Sequence, residues 1–207
     1  HPLGKGSPFF SQLPLEDFGL EWLQPDLPLA HPLDDGTAVV LQRSLDETAS
    51  QLGVDGPAYR RLLRPFVERR DELAADILGP LLRIPTHPLL LARFGLPALA
   101  SAKFLARTIF RTPQARALLA GSAAHALLPL EMPLSASFGL VLLLHGHAVG
   151  WPLPRGGSQK LADALASRFA GLDPALDWLV QGEQSRAVLL EQFRSRQRPV
   201  LIGSASF

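Results

Sequence analysis

Apolar residues recur three and four positions apart through most of the chain beyond residue 44, a spacing that predicts helices. Before that point the pattern is different. Leu27 to Leu33 and Thr37 to Gln42 alternate around Asp34-Asp35-Gly36, which reads as a β-hairpin. Ser44 precedes a short helix, with Glu47 placed to complete a capping box. A longer helix runs from Pro57 to about Leu78, where Tyr59, Leu62, Leu63, Phe66, Val67, Leu73, Ile77 and Leu78 form one stripe. Pro65 should kink it. Further helices fit Pro88 to Phe94, Pro97 to Phe110, Pro113 to Leu127 and Ser135 to His147, with proline repeatedly at the helix start. Residues 1–26 are broken up by proline and glycine and read as mostly irregular. The fold class that follows is α+β: a mostly helical body with a small sheet made from the hairpin and the segment near Trp151.

The stretch from Gly150 to Leu161 carries the most specific local pattern. It reads as a short strand, a glycine turn and a helix start, with Ser158 as N-cap. Leu161, Leu165 and Phe169 then follow at helical spacing. The adjacent Gly156 and Gly157 permit positive φ and a close approach of backbone to a ligand or to another strand.

In its setting this stretch resembles the P-x-G-G-x-x-x-L turn of phytoene desaturase-like (phytoene dehydrogenase-related) FAD-dependent oxidoreductases. His1-Pro2-Leu3-Gly4, His31-Pro32-Leu33-Asp34-Asp35-Gly36, Arg43-Ser44-Leu45-Asp46-Glu47-Thr48, Gly79-Pro80-Leu81-Leu82, Ala92-Arg93-Phe94-Gly95-Leu96 and Phe138-Gly139-Leu140-Val141 are similar to that subfamily in the same order. The likeness spans about residues 1–170. It implies a flavoprotein substrate-domain fragment in which Arg155, Gly156 and Gly157 lie near FAD. It further implies that His1 stands on the substrate side and that Phe94, Phe104, Phe138 and Leu142, with Phe110, Leu127 and Met132, line an apolar tunnel. The implied reaction passes a hydride from an apolar small molecule to FAD. The resemblance names no general base. The implied location is cytoplasmic, with peripheral contact to a membrane.

Proteins of this family open with a strand, a GxGxxG turn and a helix that holds the cofactor pyrophosphate. No such motif occurs here; Gly4-x-Gly6 is followed by Ser7-Pro8-Phe9-Phe10, where no helix starts. The expectation is therefore a fragment that lacks the Rossmann-like FAD-binding unit, binds no FAD alone and leaves an apolar face open to self-association. From about residue 175 the text changes. Leu179 to Arg186, Leu189 to Phe193 and Pro199 to Phe207 resemble the second motor domain of DinG-type superfamily 2 DNA helicases. That makes residues 171–207 a helix-strand tail joined at a junction near 168–178. The alternative reading is a non-catalytic binding module or a chimeric open reading frame carrying a helicase remnant.

Composition narrows the chemistry. The chain has 207 residues, 47% hydrophobic and 19% charged, with net charge +1, so the overall balance points to no nucleic-acid partner. There is no cysteine, hence no disulfide and no thiolate chemistry. The apolar run from Phe138 to Leu144 is far shorter than the ~20 residues of a membrane span. His145 and His147 stand two apart on different sides of a helix, and with His125 they read as structural groups, with no metal expected. Arg60, Arg61, Arg64, Arg69 and Arg70 interleave with Glu68, Asp71, Glu72 and Asp76, which reads as a solvated helix face. Asp34, Asp35 and Asp46 serve turns and helix starts.

Overall fold

A computed structural model describes residues 1–77 and 84–169. The chain divides into two compact units, residues 1–13 with 22–155 and residues 14–21 with 156–207.

In the first unit, a one-turn helix α1 (Pro2–Lys5) precedes strand β1 (Trp22–Leu23). A hairpin follows, formed by β2 (Leu29–Pro32) and β3 (Ala38–Leu41). Helices α2 (Leu45–Gln51), α3 (Gly56–Glu68), α4 (Arg70–Ile77), α5 (Pro88–Ala98), α6 (Ala102–Ile109), α7 (Pro113–Ala123) and α8 (Ser135–Val149) come next, and strand β4 (Leu153–Pro154) closes the unit. The predicted α+β character holds at this level: helices dominate and the strands are few and antiparallel.

The local reasons are visible residue by residue. Asp35 accepts from the backbone N–H (2.9 Å) and hydroxyl (2.6 Å) of Thr37, and Gly36 takes φ of 80°, so the hairpin turn is closed by side chain and backbone together. Leu29 stands opposite Leu41 and His31 opposite Val39. Ser44 accepts from the backbone N–H of Glu47 at 3.2 Å, which caps α2. Thr112 does the same for Ala115 at 3.3 Å, and Ser101 for Phe104 at 3.2 Å.

Several boundaries differ from the sequence expectation. The expected sheet joining the hairpin to the Trp151 segment does not form. Instead there are two separate two-stranded sheets, and Leu153–Pro154 pairs with Trp22–Leu23. The first 26 residues therefore contribute a helix turn and a strand rather than only irregular chain. Pro65 sits inside α3 without ending it, and the break comes at Arg69, whose backbone leaves helical geometry (φ −118°, ψ 34°). Pro97 starts no helix. It occupies the last turn of α5, and α6 begins after Ser101, whose hydroxyl supplies the cap that a proline cannot. The family-like segment Gly79 to Leu82 and the end of the Leu78 stripe lie outside the described residues.

The core is organised on α8. Its sequence is strongly apolar, and most of it is covered: Leu140, Leu142, Leu143 and Leu144 are buried together with His145 and His147, while Phe138 near its start reaches the surface. Helices α3, α5, α6 and α7 pack around it. Gly139 faces α7, where a Cβ would stand 3.0 Å from the Leu119 carbonyl oxygen. Phe66 of α3 and Phe94 of α5 meet edge to face with centroids 5.3 Å apart.

The second unit is described over residues 14–21 and 156–169. Leu15 and Leu20 are buried, and Ala164 of α9 (Gln159–Phe169) is buried as well. The Arg168 guanidinium lies 5.7 Å from the Phe18 ring centroid. The expected helicase-like tail and its junction fall, beyond residue 169, outside the described residues.

Candidate functional site

The strand, glycine turn and helix start expected around residue 156 are present. β4 ends at Pro154, the chain turns through Arg155, Gly156 and Gly157, and α9 starts at Gln159. Gly156 has φ of 84° and Gly157 of 95°, a region that L side chains rarely enter. Space is not the constraint, since a Cβ at Gly157 would meet nothing within 4 Å. Backbone geometry therefore requires glycine at this turn, and the open side of Gly157 leaves the main chain approachable. Arg155 and both glycines are exposed. On the strand side, the nitrogen of His1 donates to the Pro152 carbonyl at 2.6 Å, so His1 is held beside the segment that leads into the turn.

The residues that the resemblance places in a tunnel differ in exposure. Phe94, Phe110 and Leu142 are core residues, at 5%, 2% and 7% exposure. Phe104 and Leu127 are exposed at 64% and 84%, and Phe138 and Met132 are also on the surface. Periodicity alone could not separate these two sets, because both satisfy helical spacing. Gly6 has a packing role: a Cβ there would run into the ring of His145.

The histidines are structural in their immediate contacts. His147 Nδ1 lies 3.2 Å from the Arg43 carbonyl, which can only accept, so Nδ1 carries the proton. Its Nε2 then accepts from the Tyr59 hydroxyl at 2.8 Å. Burial pushes the His147 pKa down to about 4, against the smaller upward pull of backbone acceptors at Arg43 and Gln42. Burial likewise raises the Tyr59 phenol well above its usual value. His145 donates from Nδ1 to the Val141 carbonyl at 2.8 Å and lines a cavity of about 40 Å³ with Leu73, Val141 and Arg70. Its pKa is lowered by burial first, and the Arg70 charge lowers it further. His125 meets the Trp151 ring at 5.9 Å, and His31 packs its ring on the backbone at Gly121. Among the described residues, no three His, Asp or Glu side chains converge as a metal site would need.

Two carboxylates behave differently from their sequence reading or escape it. Asp55 is 1% exposed and accepts from Arg111 N (2.9 Å), Thr112 N (2.7 Å) and Thr112 Oγ1 (2.6 Å). Burial alone would raise its pKa, but the Thr112 and Arg111 donors hold it below the usual carboxylate value. Asp76, read as part of a solvated face, has a side chain only 1% exposed. It accepts from the backbone N–H groups of Thr86 and His87, both at 2.8 Å, and these donors are what draw it inward. The rest of that face matches the expectation. Asp46 pairs with Arg60 (2.7 Å) and Arg64 (2.5 Å), Arg69 pairs with Glu72, and Arg70 with Asp71 (3.1 Å).

No protein-family model, curated protein or solved structure matches the chain. Among the described residues no single helix is long and apolar enough to cross a membrane; the one apolar pair, Pro88–Ala98 and Ala102–Ile109, is bent by 98°.

Proposed function

We propose that this chain supplies the substrate-side region of a phytoene desaturase-like FAD-dependent oxidoreductase and lacks a Rossmann-like FAD-binding unit of its own. The observation that carries the reading is the β4–Gly156–Gly157–α9 turn, with both glycines at positive φ and the backbone open at Gly157. Such a turn fits an anionic group of a cofactor: the main chain is open at Gly157, and Arg155 precedes the two glycines in the chain with a cationic group. When bound, FAD accepts the hydride. The chain's own residues would position the apolar substrate and exclude water.

The test begins with a continuous read of the coding locus across codons 160–185 and both flanks. Its complete product is then purified and its bound flavin measured by absorbance. A GxGxxG unit in frame upstream and a flavoprotein strand downstream of the turn are expected. Stoichiometric flavin should be lost in Gly156→Val and Gly157→Val, which also carry a backbone strain of roughly 1–3 kcal/mol at positive φ. An upstream frame without such a unit, or flavin retained by both variants, sinks the reading.

A further inference from the structure

Leu127 and Leu134 are the two non-glycine residues with positive φ among those described, at 55° and 72°. The left-handed region is costly for a branched side chain, and such strain gathers where function holds it in place. Both leucines face outward, exposed at 84% and 50%. They bracket a single connection between α7 and α8, in which Leu128 and Met132 are exposed as well. The connection is not slack. Lys103 N donates to the Leu130 carbonyl (2.9 Å), Leu134 N to the Leu99 carbonyl (3.1 Å), and Ala102 N to the buried Ser135 hydroxyl (2.8 Å). The fold thus fastens the loop's backbone and leaves its apolar side chains in water.

Cations outnumber carboxylates in the sequence before this loop: no Asp or Glu occurs between Asp76 and Glu131, whereas Arg93, Lys103, Arg107, Arg111 and Arg116 do. A groove of about 330 Å³ between α6 and α7 is lined by Lys103, Arg107 and Arg116 over a floor that includes Ala117 and Leu130. Glu131 also lines it and is bound by Lys103 at 2.8 Å, so three cations face one carboxylate. Exposed apolar tips beside a net cationic groove match the two layers of an anionic bilayer surface, acyl chains and phosphate headgroups.

We propose that the 127–134 loop and the α6–α7 groove form a docking surface for an anionic lipid bilayer. Leu127, Leu128, Met132 and Leu134 enter the headgroup–acyl boundary. Arg107 and Arg116 take lipid phosphates in the groove, while Lys103 remains paired with Glu131. This surface is independent of the flavin reading.

Flotation of the full chain with phosphatidylcholine vesicles, with and without phosphatidylglycerol, tests it. Binding is expected only with phosphatidylglycerol and should weaken as salt rises. Leu127→Asn together with Leu134→Asn removes the apolar tips but suits the left-handed backbone. Partitioning should fall roughly tenfold or more while the melting temperature holds or rises. Arg107→Glu should weaken it about fivefold or more. Equal binding to both vesicle types, no binding to either, or full binding by the double variant overturns the proposal. So does self-association through these leucines without vesicle binding, or binding of inorganic phosphate alone.

Discussion

The Tyr59 hydroxyl donates to His147 Nε2 at 2.8 Å, joining α3 to the last turn of α8 across 88 residues of sequence. The bond fixes the histidine tautomer, because the Arg43 carbonyl already occupies the Nδ1 proton. Tyr59→Phe leaves Nε2 buried without a donor. The expected cost is about 1–3 kcal/mol in urea unfolding, with unchanged helix content. An unchanged midpoint would show that water replaces the phenol.

Acid should begin to destabilise the first unit as pH falls below 6.5. His147 has a folded pKa of about 4 against a usual 6.5, so the unfolded chain binds the proton more readily. Its contribution is fully present above 6.5 and is lost as pH falls towards 4. The total is up to about 3 kcal/mol. His145, also lowered, acts in the same direction. His147→Gln should flatten this slope in a pH series of unfolding midpoints, and an equally steep variant would refute the assignment.

Asp55 ties the segment before α3 to the start of α7 through three donors. Asp55→Ala strands those donors and should cost about 2–4 kcal/mol. Because the folded pKa of Asp55 is depressed, its contribution is present above the usual 3.8 and disappears as pH falls through the folded value. Thermal melts of the variant and parent should therefore converge at strongly acidic pH.

Gly56→Ala tests the close approach of α2 and α3. A Cβ at Gly56 would press into the Ala49 carbonyl oxygen, which is main chain and cannot swing away. Alanine gains about 1 kcal/mol in helix propensity. Overpacking against backbone costs about 1–3 kcal/mol, so a net loss is expected by calorimetry.

The strained loop makes the opposite forecast. Leu127 has φ of 55° and buries little of its side chain. Leu127→Asn relieves backbone strain at small packing cost and should raise stability by roughly 0.5–1 kcal/mol. A fall in melting temperature would mean that the exposed leucine makes contacts that stabilise the fold.

What sequence could reveal tracks the range of the interaction. The Asp35–Gly36 turn, the Ser44 cap and the Gly156–Gly157 turn are each decided within a few residues, so spacing suffices. Pro97 misled because proline is tolerated in more than one helix position. The true start of α6 depended on the Ser101 hydroxyl. Asp76 looked solvated among alternating charges, yet its partners are the N–H groups of Thr86 and His87, ten and eleven residues away. The Tyr59–His147 bond and the Asp55 clamp join elements distant in sequence, and no local pattern encodes them. The same limit divides Phe94 from Phe104. Both sit at helical spacing, and only the packing partner, Phe66 for Phe94, decides which one is interior.

The burial of the middle of α8 has a consequence for how the molecule opens. A helix with one wet face can release its amides to solvent by fraying or by lifting away. Leu140, Leu143 and Leu144 of α8 have no such route, because their side chains are buried in a helix that α3, α5, α6 and α7 pack against. Their amide hydrogens should exchange only through cooperative opening of the whole unit, and so report its global stability.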